Sequence, residues 1–242
     1  MAFEITIPAF LAQQGINMYN QAELGRTVPA SISAKDNYDA LTQAAGARAA
    51  SIAPDAPPLI IARNEYIPTP DQKADFMKAA SHGGRVTKDG RPVSAISINP
   101  NVDASYYAHE LGHGVSQKTK AGKFINQARH KLEGNPKLGR ALAMALTGAV
   151  PTIGAALQEG DDDLAGSIGL AAAMASPTLI DEALASKNAL AIMKDAGIRA
   201  NMGQRGRLAG GYLSYLAPVI IAGSVGNALG NVADDYTALY DL

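Results

Sequence analysis

Two histidines four residues apart, in Tyr106-Tyr107-Ala108-His109-Glu110-Leu111-Gly112-His113, constrain this chain more than any other feature. The pattern H-E-x-x-H has a use on a helix, where residues four apart share a face and two imidazoles can aim at one point. Glu110 then stands about 100° around the helix from His109, beside that point and not on it. The arrangement suits Zn²⁺, which takes two histidines, a third protein ligand and a water whose pKa it lowers. The adjacent carboxylate is placed to accept that water's proton and pass it to a leaving amine. Two surface histidines on a polar helix face would be the plainer explanation. It fits poorly, because Tyr106, Tyr107, Ala108, Gly114 and Val115 around the motif carry no charge. An inward-facing His and Glu need partners, and a metal supplies them.

Bulk properties narrow the classes further. With 242 residues, 47% of them hydrophobic, the chain can form one large or two small domains with a full core. A net charge of −1 implies no nucleic acid or other general polyanion as partner. The absence of cysteine removes disulfides, Cys-ligated zinc and thiol catalysis together. Met1-Ala-Phe-Glu-Ile-Thr-Ile-Pro8 has no basic stretch followed by an apolar run, so no signal peptide is expected and the location reads as cytoplasmic or membrane-associated. Tryptophan is absent and 24 glycines are present, which favours closely approaching helices over a core of large side chains.

Residues 1–58 read as a helical N-terminal segment and a linker. Pro8 can open one short helix, Asp39 to Ile52 is an Ala-rich second one, and Ala53-Pro-Asp-Ala-Pro-Pro58 cannot continue it. Leu59-Ile60-Ile61-Ala62 reads as a short buried strand and Asp71 to Ala80 as a short helix. Gly83-Gly84-Arg85-Val86 and Gly90-Arg91-Pro92 look like turns around a hairpin, with His82 a surface residue in the first. Val93 to Asn99 alternates apolar and polar, as a strand with one wet face does. Taken as an edge strand, it offers Val93, Ala95 and Ser97 for an extended peptide to pair with. Asn99-Pro-Asn-Val-Asp103 is turn chemistry, and Asp103 is a good N-cap for the H-E-x-x-H helix.

Four positions are weighed as third ligand. A histidine six residues past His113 would extend the motif, but Thr119 stands there. His130 lies in a basic stretch, Arg129-His130-Lys131, that reads as a solvated face. Glu133 comes twenty residues after His113, yet Gly134-Asn135-Pro136 ends its helix at once. Glu182 has the better context, on a helix with Ala185, Ala189 and Met193 along one face and Gly197 as its stop.

Here the chain resembles the M48 family of zinc metallopeptidases, the Ste24/HtpX-like gluzincins. In that family His-Glu-x-x-His is followed, after a long helical insertion, by a helix of form Glu-x-x-Ala-Asp, often ended by Gly. The resemblance covers roughly 59–200 and is strongest in those two short pieces. It implies a zinc endopeptidase in which His109, His113 and Glu182 bind the metal, with Ala185, Ala189 and Gly197 matching the family's small residues. It departs from the family at Ser186, which stands where an Asp typically supports a motif histidine. The family's later His-Pro element is also missing, since no histidine follows His130. Arg205, Arg207, Tyr212 and Tyr215 are then the nearest candidates for stabilising an oxyanion.

Between the site pieces, 141–180 reads as an apolar helical hairpin with Glu159-Gly-Asp-Asp-Asp163 at its tip. HtpX-like members place membrane spans there, and 208–229 is a third uncharged run about long enough to cross a bilayer. Ala and Gly hardly drive insertion, however, and Pro151 and Pro177 interrupt the arms, so a buried hairpin is the alternative. The acids 161–163 read as a solvated turn.

The expectation is therefore a mostly α, α+β zincin-like fold: 59–207 as the peptidase domain, its metal helix following an edge strand, and 208–242 as an apolar helix with a polar tail. The expected function is zinc-dependent hydrolysis of a peptide or protein substrate, with Glu110 as general base and then acid. The competing class is a non-catalytic zincin-like structural or membrane-interacting protein, for example a virion-associated component, acting through the apolar hairpin.

Overall fold

The computed structural model describes residues 28–66, 80–86, 92–133, 164–213, 215–216 and 219–220. After one 3₁₀ turn, Ala30–Ile32, helix α1 runs Ala34–Ile52. Ser33 caps it: its hydroxyl accepts from the Asp36 amide at 3.1 Å and donates to the Asp36 carboxylate at 2.6 Å. An acid in the first turn also suits the helix dipole. Ala34, Tyr38, Leu41, Ala45 and Ala49 recur every three or four residues and are buried. The helix expected from Asp39 is thus present and starts earlier, at the Ser33 cap. A helix starting at Pro8 falls outside the described residues.

Strands β1 (Ile60–Glu65), β2 (Ala80–Val86) and β3 (Pro92–Ile98) form one sheet in the order β1-β3-β2. β1 runs parallel to β3, with Ile60 opposite Val93, and β2 runs antiparallel, with Ala80 opposite Ile98. This order corrects the expected edge strand. β3 is central, both of its sides are paired, and the backbone of Val93, Ala95 and Ser97 is not open to a peptide. The alternation itself holds, with Ser94, Ile96 and Ile98 buried and Val93, Ala95 and Ser97 half-buried. It reports two unlike faces, which central strands have as readily as edges.

The Gly-rich stretch is a second correction. Gly83 and Gly84 lie within β2, opposite Ala95 and Ser94, and His82 pairs with Ile96 instead of occupying a turn. Glycine weakens a strand but does not forbid it once a ladder holds its backbone. The β2–β3 connection, Gly90 and Arg91 included, lies outside the described residues. So does the helix expected over 71–80, except that Ala80 opens β2. β1 is half-buried to exposed, not buried, because it is an edge.

Helix α2, Ala104–Ser116, starts as expected at Asp103, whose carboxylate accepts from the Ser105 amide at 2.8 Å. Helix α3 is Lys120–Glu133, and the expected stop at Gly134-Asn135-Pro136 lies outside the described residues. Helix α4 runs Leu164–Asp195 with Pro177 inside it. The second arm of the expected hairpin and the Glu182 helix are therefore one element, and Glu182 sits mid-helix. Gly197 terminates it at φ +78, a left-handed conformation that glycine adopts without strain. The Ile198 amide reaches the Met193 carbonyl at 2.8 Å and the Gly197 amide that of Lys194 at 3.0 Å, a Schellman closure. Residues 202–213 are helical again. Residues 141–163 and 221–242 lie outside the described residues. Among the described residues, no helix is long and apolar enough to cross a membrane.

Contacts divide the chain into two units. One takes in Asn17–Asn126 and Ile180–Tyr212. Its core joins Tyr38 and Leu41 of α1, Ile96 and Ile98 of β3, Tyr107, Leu111 and Val115 of α2, and Ile192 and Met193 of α4. Tyr38 and Tyr107 meet edge to face with centroids 4.7 Å apart, and Arg63 stacks 4.0 Å over Tyr38. α1 thus shares the core of the H-E-x-x-H helix, across the Pro-rich stretch. The described residues of the other unit (127–133, 164–179, 213, 215–216 and 219–220) are helical, with Leu179 and Val219 buried.

Candidate metal centre

Helix α2 carries both motif histidines and α4 carries Glu182, so the site depends on how closely those helices approach. At Gly112 a Cβ atom would overlap the Ala185 carbonyl, so the two backbones touch there with no side chain between them. Buried Asn188 fastens the crossing. Its amide donates to Ser116 Oγ at 3.1 Å and to the Gly112 carbonyl at 3.4 Å, and Ser116 Oγ itself donates to Gly112 at 2.8 Å. Gly112 and Ala185 each stand three residues past a candidate ligand, His109 and Glu182. One helical turn from the contact, those side chains meet.

His109 Nε2 lies 3.0 Å from Glu182 Oε2, and His113 Nε2 lies 3.7 Å from Glu182 Oε1. The imidazoles stand edge to face with centroids 4.9 Å apart. Each residue offers one donor atom, all within 4.8 Å of one another, so this group can hold a metal ion. The other ring nitrogens point away from Glu182 and are held. His113 Nδ1 is 3.1 Å from Asp181 Oδ2, and His109 Nδ1 is 3.3 Å from Ser186 Oγ. The Ser186 hydroxyl, 3.4 Å from the Leu208 carbonyl as well, can donate or accept towards His109. A carboxylate only accepts, so His113 carries hydrogen on Nδ1 towards Asp181, and both rings turn Nε2 towards Glu182.

Two imidazole nitrogens and one carboxylate form a catalytic-type zinc set, with a fourth position left for water. Donors around a tetrahedral zinc with bonds of about 2.0–2.1 Å stand about 3.4 Å apart. The 3.0 and 3.7 Å separations run to the two different oxygens of Glu182, and with one donor atom from each residue the group lies within 4.8 Å. The donor types fit the ion.

The electrostatics suit proton handling. Glu110 is only 8% exposed, and burial pushes its carboxyl above the usual range, with His109 and His113 opposing and Glu182 and Asp181 adding to the rise. At His113 burial works against the charged form. The Asp181 hydrogen bond and the charges of Glu182, Glu110 and Asp181 outweigh it, raising His113 from 6.5 to about 9.

Thr119, where a further histidine would stand, accepts from the Gly122 amide at 2.9 Å as α3 begins. His130 and Glu133 lie on α3, where the side chains are outside the described residues. Arg207, a candidate for an oxyanion, has Nη2 2.9 Å from Asp103 Oδ2, at the N-cap of α2. Gln204 Nε2 joins it at 3.1 and 3.2 Å from the two Asp103 oxygens. A carboxylate only 3% exposed requires such partners. Arg205 is exposed and bonds the Ala200 carbonyl at 3.4 Å. Tyr212 is half-buried, and Tyr215 belongs to the other unit. Sequence reasoning missed Asp181, Asn188 and Gln204. Of these only Asp181 had a signal, being an acid immediately before the ligand.

Compared with known proteins, the chain matches no family, no curated protein and no solved structure.

Proposed function

We propose that this protein is a zinc-dependent endopeptidase of the gluzincin type, similar in plan to the M48 family. The observation that carries the reading is the convergence of two Nε2 atoms from one helix turn on Glu182, with buried Glu110 beside them. Zinc at this site supplies a Lewis acid for a peptide carbonyl and lowers the pKa of its water to about 7. His109, His113 and Glu182 would hold the ion. Glu110 takes a proton from the attacking water and returns it to the leaving amine. Its raised carboxyl pKa makes it a better base for the first transfer and a competent acid for the second. Among the described residues β1 and β2 are the outer strands, so an extended peptide or protein substrate would pair along one of them and not along β3.

Cleavage of casein or a quenched peptide tests the proposal. Glu110→Gln should lower turnover by about 10²- to 10⁴-fold while leaving zinc content unchanged. Equal turnover in wild type and variant rejects Glu110 as the proton carrier. The second reading is a zincin-like structural or membrane-interacting protein without catalysis. Two observations favour it: Arg207 is committed to Asp103, and Ser186 offers His109 a hydroxyl in place of a carboxylate. Zinc binding without peptide cleavage selects it.

A further inference from the structure

The two inward-facing histidines are supported unequally. His109 leans on a neutral hydroxyl, Ser186 Oγ, at 3.3 Å, and His113 leans on a carboxylate, Asp181 Oδ2, at 3.1 Å. Asp181 precedes Glu182 on α4, so it lies about 100° around that helix from the ligand. From there it reaches the far side of the His113 ring while Glu182 meets the near side at 3.7 Å. Its side chain is 19% exposed and that of His113 10%, so the bond is shielded from water.

We infer that Asp181 is the positioning residue of the metal centre, a carboxylate that holds His113 by its Nδ1 hydrogen and aims Nε2 at the ion. This rests on the zinc reading given above. In a carboxylate–histidine–metal chain the outer acceptor selects the tautomer, fixes the ring plane and makes the inner nitrogen more basic. Ser186 can do the first two for His109 but adds no charge. The support that position 186 lacks is provided from position 181, to the other histidine. Both imidazoles meet Glu182, His109 Nε2 at 3.0 Å from one oxygen and His113 Nε2 at 3.7 Å from the other.

The test uses zinc alone, titrated against a chromophoric chelator, on the full chain as wild type, Asp181→Ala, Asp181→Asn and His109→Ala. Folding of each variant is checked by circular dichroism and a thermal melt. Asp181→Ala should weaken zinc binding roughly 10- to 100-fold. Asp181→Asn should recover most of that loss, because its amide oxygen still accepts from Nδ1–H. The long-range ¹H–¹⁵N spectrum of the zinc-loaded wild type should show His113 protonated at Nδ1. In Asp181→Ala that signature should broaden or be lost, which a merely structural role would not cause in a folded variant. Wild-type zinc binding that His109→Ala abolishes and Asp181→Ala leaves unchanged overturns the role of Asp181 and keeps the centre. Zinc binding absent in wild type overturns both.

Discussion

Gly112 lies directly against the backbone of Ala185, so α2 and α4 meet there with no side chain between them. Because the site is assembled one turn away, this contact controls it. Gly112→Ala has to push apart two backbones, which cannot rotate aside as a side chain would. It should cost about 1–3 kcal/mol of stability and weaken zinc binding in the same protein. Denaturant unfolding and chelator competition check the two effects. A stable variant with wild-type zinc affinity would show that the approach of these helices does not set the site.

Gly46 is the contrasting case. It lies within α1, and a Cβ there meets nothing within 4 Å. Gly46→Ala should stabilise the protein by about 0.5–1 kcal/mol, by reducing the freedom of the unfolded chain. A higher melting temperature with unchanged zinc binding is the expected result.

Metal affinity should depend on pH with a definite sign. His113 is raised from 6.5 to about 9, so without metal it is protonated at neutral pH, and zinc must displace that proton. Apparent zinc affinity should rise by up to about tenfold per pH unit and level off near pH 9. The metal-free protein should behave oppositely. A folded pKa above the unfolded one contributes stability that is complete below pH 6.5 and lost as pH rises through about 9. Zinc titrations and melts at several pH values within that window check both. A flat affinity profile removes His113 from the ligand set.

The Asp103–Arg207 pair should be a strong stability determinant. Side-chain exposures of 3% and 9% mean that removing Arg207 strands a buried charge at the N-cap of α2. Arg207→Met should cost about 3 kcal/mol, and Asp103→Asn in the same chain should recover part of it. Chemical denaturation of the single and double variants measures the coupling.

The hydroxyls of Thr42 and Tyr107, 2.8 Å apart, link α1 to the site helix. Tyr107→Phe keeps the ring against Tyr38 and removes only that bond, so a loss of about 1 kcal/mol is expected. A larger loss would show that the hydroxyl holds α1 in place.

What the sequence by itself determined is local. The H-E-x-x-H spacing, the Asp103 cap, the break at Ala53–Pro58 and the Gly197 stop each depend on residues within a turn or two of one another. Backbone geometry alone makes them legible. The Glu182 assignment reached further, and it came from a resemblance, not from periodicity. Tertiary structure decided the rest. Alternation in Val93–Ile98 is the same for a central or an edge strand, so only pairing with β1 and β2 placed it in the middle. Gly83-Gly84 reads as a turn until β3 supplies the ladder that makes it a strand. Asp181 on His113 and Arg207 on Asp103 join residues 68 and 104 positions apart, and composition cannot distinguish a buried partner from a solvated charge. Burial makes that distinction, because a charge removed from water must find its counterpart wherever the chain has folded to bring one.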